Sequence, residues 1–298
     1  MSNEGHCGYV AIIGRPNVGK STLLNHFIGQ KLCITSRKPQ TTRHSLLGIK
    51  TKNNNQIIYI DTPGLHNFTR NAMNRYLNRA AINSINGVDV IVWIVEVLQW
   101  TDEDSYVLKT LTANSVPTIL AVNKVDKISN KNILLPYLQE VTAKYNFIEV
   151  FPISALKNQN LDRLETRIIT LLPKGILLFP EDQITDRSER FLCAEIIREK
   201  LVRRLGAELP YRLTVQVEHF KTYRNVNHIS ALIWVETEGQ KGIIIGKKGK
   251  ILKSIGTESR TDMEAWLDHK VYLQLWVKVK RGWCDSERAL QQLGYSNT

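Results

Sequence analysis

Residues 14–21 read Gly-Arg-Pro-Asn-Val-Gly-Lys-Ser, and this octapeptide limits the fold more than any other stretch. The pattern G-x-x-x-x-G-K-[ST] is a phosphate-binding loop when a strand precedes it and a helix follows. Both conditions hold here. Tyr9–Ile13 is a short apolar run that reads as a buried strand, and Ser21–Phe27 starts a helix. Strand, loop and helix N-terminus together turn backbone N–H groups toward an anion. Gly14, Arg15, Pro16, Asn17, Val18 and Gly19 are therefore the expected phosphate cradle, followed by Thr22 in the helix. Lys20 places a positive charge at the β/γ-phosphates, and the Ser21 hydroxyl can ligate Mg²⁺.

Three further motifs follow in order. Lys31 to Ser45 is a long polar stretch that includes Thr41, Thr42 and His44. A loop of that length between regular elements is usually functional. In a nucleotide switch, a threonine hydroxyl joins the Mg²⁺ shell once the γ-phosphate is present. Thr41 and Thr42 both qualify, with Thr42 preferred. Gln56–Ile60 reads as a strand ending in Asp61-Thr62-Pro63-Gly64. An acid at that strand end holds Mg²⁺, and the Gly64 N–H can bond the γ-phosphate and lose it on hydrolysis. Thr118–Val122 reads as a strand ending in Asn123-Lys124-Val125-Asp126. The Asp126 carboxylate can accept both N1–H and N2–H₂ of guanine. Asn123 suits the O6/N7 side, Lys124 can lie over the ring, and Ser154-Ala155 offers an N–H to O6. Adenine would leave the carboxylate unpaired, a mismatch that supports roughly 10⁴-fold discrimination.

The remaining strands are Leu46–Lys50, Val88–Val95 and Val150–Ile153, and the remaining helices Asn71–Ile85, Glu103–Thr112 and Leu161–Leu172. Alternating strands and helices with buried strands indicate a doubly wound α/β domain. The motifs fall at the carboxyl ends of strands, where such sheets bind ligands.

Pro173 to Arg190 has two prolines, clustered acids and no period, and reads as a linker. A second region opens with a helix, Phe191–Leu205. Strands Arg212–Phe220 and Ile229–Glu236 follow, then helices Lys250–Ile255 and Ser259–Leu267, and a last strand, Val271–Lys280. Gly246-Lys247-Lys248-Gly249 stands ahead of Lys250. Residues 241–253 hold five lysines and no acid, interleaved with isoleucines and Leu252. The apolar side belongs to a core, and Lys247, Lys248, Lys250 and Lys253 are free to face phosphate.

Charge agrees with that assignment. The 298 residues carry a formal net charge of +12, a field that favours polyanions, either nucleic acid or an anionic membrane surface. Residues 191–298 hold 18 Lys+Arg against 12 Asp+Glu, so the C-terminal part is the denser in positive charge. The four cysteines are scattered without a C-x-x-C, which argues against a zinc site or a disulfide framework and for a reducing, cytoplasmic setting. The N-terminus lacks a basic n-region and carries Glu4, so no signal peptide is expected. The longest apolar run, Val90–Val95, is too short to span a bilayer.

G-R-P-N-V-G-K-S, Q-T-T-R-H (40–44), D-T-P-G, N-K-V-D and I-S-A (153–155) resemble the TRAFAC class of GTPases. With F-P-E-D-Q-I-T-D-R-S-E-R-F (179–191) and A-E-I-I-R-E-K-L (194–201), the resemblance narrows to the Era family of bacterial ribosome-assembly GTPases and covers nearly the whole chain. The order α-β-β-α-α-β with G-x-x-G resembles a type II KH domain, in which that loop clamps about four single-stranded nucleotides. The expected architecture is an α/β, doubly wound P-loop GTPase domain at 1–174, a linker at 175–190, and an α+β type II KH domain at 191–298.

The resemblance implies GTP hydrolysis to GDP with Mg²⁺, binding of 16S ribosomal RNA near its 3′ end, and a role in 30S subunit maturation. It also implies peripheral contact with the inner membrane from a cytoplasmic protein expected to be monomeric. Asn17 matches an asparagine that similar GTPases use to hold K⁺; otherwise it is a turn residue. Leu65 stands where Ras-type enzymes place a water-orienting glutamine, so slow unassisted hydrolysis is expected. His44 and His66 read as solvated histidines. Two rivals are an RNA-binding protein with a relic nucleotide site and a tRNA-modification GTPase. The intact Lys20, Ser21, Asp61 and Asp126 oppose the first, and the basic second half opposes the other.

Overall fold

The computed structural model describes residues 5–36, 38, 41–65, 72–112, 115–206 and 209–295. His66 lies outside them, as does Gln40 of the Q-T-T-R-H motif. Backbone contacts divide the chain into two compact units. One comprises Met1–Cys33, Thr42–Arg70 and Asn74–Asp186; the other comprises Ile34–Thr41, Asn71–Met73 and Arg187–Thr298.

The first unit runs β1 (Gly5–Ile13), α1 (Lys20–Ile28), β2 (Leu46–Lys52), β3 (Asn55–Asp61), α2 (Ala72–Asn83) and β4 (Val90–Glu96). It continues with α3 (Asp102–Leu111), β5 (Thr118–Asn123), α4 (Leu134–Thr142), β6 (Glu149–Pro152), α5 (Leu161–Leu171) and β7 (Lys174–Gly175). The sheet order is β2-β3-β1-β4-β5-β6, parallel except for β2, with β7 antiparallel to the start of β1. The strand order reverses at β1, so the crevice beyond its carboxyl end is the expected ligand site of such a sheet. β4 is buried at every residue, which explains why its sequence is a continuous apolar run rather than an alternation. A reciprocal cap starts α3, with Thr101 and Asp104 each accepting the other's backbone N–H.

Two parts of this unit were not expected. α4 begins Leu-Leu-Pro, and the proline obscures it. Pro136 sits in the first turn, where a missing N–H breaks no intrahelical bond, and Tyr137 and Val141 anchor the helix one turn apart. The aperiodic stretch after Pro173 is fastened to the sheet as far as Asp186. Cys7 N–H donates to Pro173 O at 3.0 Å, and Ile49 N–H to Ile184 O at 2.8 Å. The fully buried Gln56 amide accepts from the Leu178 and Phe179 N–H groups at 2.8 and 2.9 Å and donates to Phe179 O at 2.8 Å. A buried amide has to be satisfied, and this strap does it.

The second unit runs α6 (Glu189–Arg204), β8 (Leu213–Tyr223), β9 (Val226–Val235), α7 (Glu238–Ile245), α8 (Lys250–Leu267), β10 (Lys270–Val279) and α9 (Glu287–Gln292). Its sheet is β10-β9-β8, with β10 parallel and β8 antiparallel to β9. The core joins Ile197 and Leu201 of α6, Ile255 and Met263 of α8, and the alternate residues Ile229, Ala231, Ile233 and Val235 of β9. The two helices expected at 250–255 and 259–267 are one continuous helix. Gly256 costs about 1 kcal/mol of helix propensity, and burial of Ile255, Ser259 and Met263 along one face outweighs it.

Within this unit, Thr35, Lys38 and Thr41 bond to α6. Thr35 N–H donates to Glu199 Oε1 at 3.2 Å, and Arg203 donates to Thr35 O at 3.1 Å. Lys38 Nζ reaches Val202 O at 2.5 Å and also Leu205 O, carbonyls left free at the end of the helix. The buried Arg198 pairs with Glu195 at 2.6 Å and donates to Thr41 O.

Candidate functional site

The loop between β1 and α1 holds the residues expected to cradle phosphate. α1 begins at Lys20, and no side chain caps it, so its first N–H groups are available to a ligand. The Lys20 side chain is 6% exposed, and its Nζ donates to Gly14 O and Arg15 O, both at 3.0 Å. The lysine is curled over the loop that would hold phosphate. Burial outweighs the nearby Asp61 and brings its ammonium down to about 8.

Ser21, Thr42 and Asp61 converge beside it. Ser21 Oγ donates to Asp61 Oδ2 at 3.0 Å and lies 2.9 Å from Thr42 Oγ1, which is itself 3.3 Å from Asp61 Oδ2. Of the two candidate threonines, Thr42 is the one whose hydroxyl enters this cluster. The Thr41 hydroxyl donates to Lys38 O at 2.6 Å instead. Asp61 is fully buried, its Oδ1 has no hydrogen-bond partner among the described residues, and burial raises its pKa. Thr62 Oγ1 bonds Ile12 O at 2.9 Å and fixes the turn that follows. At Gly64 a side chain would meet Pro16 N at 2.8 Å, so only glycine lets this turn lie against the phosphate loop. Leu65 is 1% exposed and belongs to the core, so its side chain is not available to orient water.

The base-side loops are braced in a way the sequence did not reveal. Asn123 is 2% exposed; its Nδ2 donates to Val18 O at 2.7 Å, and its Oδ1 accepts the Ala155 N–H at 2.9 Å. One side chain thus ties the phosphate loop to the I-S-A loop. Asp126 is exposed and accepts a hydrogen bond from the buried Ser154 hydroxyl. Glu96, the last residue of β4, gathers Lys124 at 2.6 Å, Lys127 at 2.8 Å and Arg15 at 3.6 Å. Burial opposes its charge, but Lys124 and Lys127 prevail and hold its carboxyl below the usual range. Arg15 turns away from the phosphate loop to the buried Asp104 at 3.0 Å. The only signal for Glu96 was an acid ending an apolar strand. Asn17 stands at φ +63° in the loop. The His44 ring meets Tyr76 edge-on at 6.5 Å.

Among the described residues no three His, Cys, Asp or Glu side chains cluster as a metal cage. The Ser–Thr–Asp set is instead a partial shell of hard oxygens, the kind Mg²⁺ completes with water and substrate phosphates. The buried Asp61 Oδ1 without a partner fits that use.

In the second unit, α8 and β10 enclose a groove of about 490 Å³. Gly249, Leu252, Lys253, Gly256, Thr257 and Arg260 form one wall, and Val271, Tyr272, Leu273 and Leu275 the other. Gly246-Lys247-Lys248-Gly249 turns the chain from α7 into α8 at the head of this groove, with Lys247, Lys248, Lys250 and Lys253 exposed. Gly249 holds φ +74° with open space where a side chain would start. Arg260 was not foreseen, although it lies seven residues, two helical turns, beyond Lys253 on the same face.

The family described as "50S ribosome-binding GTPase" matches residues 9–124, and the family described as "KH domain" matches residues 208–284. GTPase Era of Marinobacter nauticus is 58% identical over 294 residues, 99% of this chain and 96% of that protein. GTPase Era of Pseudomonas putida is 57% identical over 296 residues, 99% and 98% of the two chains. A crystal structure of Era with MgGDPNP and nucleotides 1506–1542 of 16S ribosomal RNA superposes with a TM-score of 0.95 at 40% identity. It covers 98% of this chain and 100% of that one. An Aquifex aeolicus Era variant bound to GDP·AlF4⁻ matches at TM-score 0.95, 39% identity and the same coverage. Full-length identity, both family patterns and the shared fold converge: this chain belongs to the Era family of GTPases.

Proposed function

We propose that this GTPase is a nucleotide switch that binds 16S ribosomal RNA through its KH domain and serves assembly of the 30S subunit. The domain division 1–174, 175–190 and 191–298 goes with that reading. The observation that carries the catalytic part is the convergence of Ser21, Thr42 and Asp61 beside Lys20 and an uncapped helix N-terminus.

Lys20 leaves its two carbonyl partners for the β/γ-phosphates, and the α1 N–H groups hold them from the other side. Ser21, Thr42 and Asp61 would hold Mg²⁺, which supplies charge neutralisation at the phosphate oxygens. The Gly64 N–H bonds the γ-phosphate and loses that bond on hydrolysis. Asp126, oriented by Ser154, reads the guanine edge, while Asn123 keeps Ala155 and the phosphate loop in register. Glu96 fixes Lys124 beside the base. With Leu65 in the core, no side chain at that position aims the attacking water. Unassisted turnover is therefore slow, of the order of the 10⁻⁴–10⁻³ s⁻¹ of Ras without a partner. K⁺ held near Asn17 is one source of assistance.

The RNA part rests on the α8–β10 groove with its exposed lysines, and on the similarity to an Era protein solved with a 16S rRNA fragment. The +12 charge also favours peripheral contact with an anionic membrane from the cytoplasm. Among the described residues no helix is long and apolar enough to cross one. Phosphate release from GTP and from ATP in Mg²⁺ buffer, with and without K⁺, tests the enzyme. Turnover of GTP alone, removed by Ser21→Ala, is expected; equal turnover of ATP would overturn the base assignment. An identical rate in Na⁺ and K⁺ would remove the K⁺ reading.

A further inference from the structure

We infer that the outer face of the β10-β9-β8 sheet is a second RNA surface, on which a single strand leaving the α8–β10 groove stacks its bases. The inference rests on the RNA-binding reading of that groove. One face of the sheet packs on the helices. The other is fixed by strand register: Tyr272 pairs with His228, Gln274 with Ser230, Trp276 with Leu232 and Lys278 with Trp234. On β8 an irregularity between Val217 and His219 shifts the alternation, so His219, Lys221 and Tyr223 join this face opposite Ser230, His228 and Val226.

Three rings on this face stand well out in solvent: Tyr223 is 59% exposed, Tyr272 51% and Trp276 45%. Cations and rings are interleaved. Lys278 Nζ lies 5.9 Å from the Trp234 ring, the Arg224 guanidinium 5.0 Å from Tyr223, and the His228 ring 5.4 Å from Tyr272. Lys221 and Lys270 add charge, and Glu218, at the strand irregularity, is the acid nearest the face in sequence. One end is closed by the C-terminal segment, where Tyr295 OH meets Thr214 Oγ1 at 2.9 Å; the Tyr272 end is open.

Flat rings set among lysines form a stacking platform for single strands, since every nucleotide has a base with a π-face and a phosphate. A protein partner would favour the rings but not the lysines set among them, because Lys is depleted at the core of protein interfaces. The platform is also continuous with the groove. β10 is the edge strand, and Tyr272 lines the groove as well as belonging to the outer row. A strand that passes over this edge goes from one surface to the other. Tyr272 and Trp276 are four residues apart, about 13 Å along the strand.

The test uses the full chain and two synthetic single-stranded RNAs that share a sequence. One has about four nucleotides, the length a KH loop clamps, and the other about twelve, within the range of single-strand sites. Fluorescence anisotropy reads both affinities. Trp276→Ala is expected to weaken the longer RNA about tenfold, the value of one lost stack, and to leave the shorter within about twofold. Trp276→Phe should restore most of the loss. Lys270→Ala with Lys278→Ala should lower the salt slope for the longer RNA alone, by about 0.7 per lysine.

An unchanged affinity for the longer RNA in these variants would overturn the inference, as would an equal fall for both RNAs. Unchanged RNA affinity with lost retention of purified small-subunit proteins would assign the face to protein and overturn it too. Gly249→Asp, run in parallel, addresses the groove. If it spares the short RNA, the groove reading fails. If it abolishes both RNAs while Trp276→Ala changes neither, the sheet-face inference fails by itself.

Discussion

The proposed nucleotide site and the proposed RNA groove are built on opposite terms. In the first, the side chains around the phosphate loop are buried and already hydrogen-bonded within the fold, Lys20 being 6% exposed, Asp61 0% and Asn123 2%, while Asp126 alone of the set stands exposed. In the second, Lys247, Lys248, Lys250 and Lys253 stand in solvent around a glycine turn. A small ligand is recognised by fixed donors in a dry pocket, where one misplaced atom forfeits a full interaction. A polymer is recognised by several exposed charges and a shape, each worth little and screened by salt. The first site should therefore fail abruptly and the second by increments.

The largest effect expected is on base choice. Asp126→Asn should lower the preference for GTP by roughly 10⁴-fold and improve xanthosine triphosphate, because a carboxamide donor suits the carbonyl that xanthine presents. Hydrolysis rates with the two nucleotides check it, and equal GTP affinity in variant and parent would remove Asp126 from the site. Next, Lys20→Ala should cut kcat/KM for GTP by about 10²–10³-fold, the cost of one preorganised donor. It should not lower the melting temperature, since a buried ammonium destabilises the fold.

A smaller effect concerns pH. Lys20 in the folded, nucleotide-free chain titrates at about 8, below an ordinary lysine. Above that pH the bound phosphate has to recruit a proton, so GTP affinity should fall by up to about tenfold per pH unit. The unfolded chain binds more protons between 8 and the ordinary lysine value. This group's penalty on folding is therefore full below 8 and relieved as pH rises through that window. Calorimetry of GTP binding across pH 8 checks it, and a flat affinity would mean that Lys20 stays protonated across this range or does not face phosphate. The smallest effect is incremental: Lys247→Ala with Lys248→Ala should reduce the slope of log K for single-stranded RNA against log salt by about 0.7 per lysine. An abrupt loss in that pair would blur the contrast between the sites.

What could be read in the sequence were the residues whose type is dictated locally. G-R-P-N-V-G-K-S, D-T-P-G, N-K-V-D and G-K-K-G each need particular side chains or bare backbone at a strand or helix end, and each lies where it was expected. What could not be read depends on partners distant in the chain. Nothing near Asn123 announces that its amide spans Val18 and Ala155, and Glu96 looks like the end of an apolar strand until three cations converge on it. The attachment of 173–186 to the sheet and of Thr35, Lys38 and Thr41 to α6 is of the same kind, because aperiodic backbone takes its structure from whatever satisfies its hydrogen bonds. Helix α8 was read as two because propensity at Gly256 is local and the burial that overrides it is not.

The contrast itself is tested most directly by titrating one preparation of the Gly249→Asp chain with both ligands, GTP being measured without RNA. Gly249 has room for a side chain, and Asp tolerates positive φ better than most residues, so the fold should survive. The added carboxylate would face RNA phosphate at the head of the groove. Single-stranded RNA affinity is expected to fall at least about tenfold, the scale of a lost charge-assisted contact, while the GTP dissociation constant stays near that of the parent. A folded variant that binds RNA as the parent does, or one that loses GTP and RNA together, would contradict the reading of two separate sites on one chain.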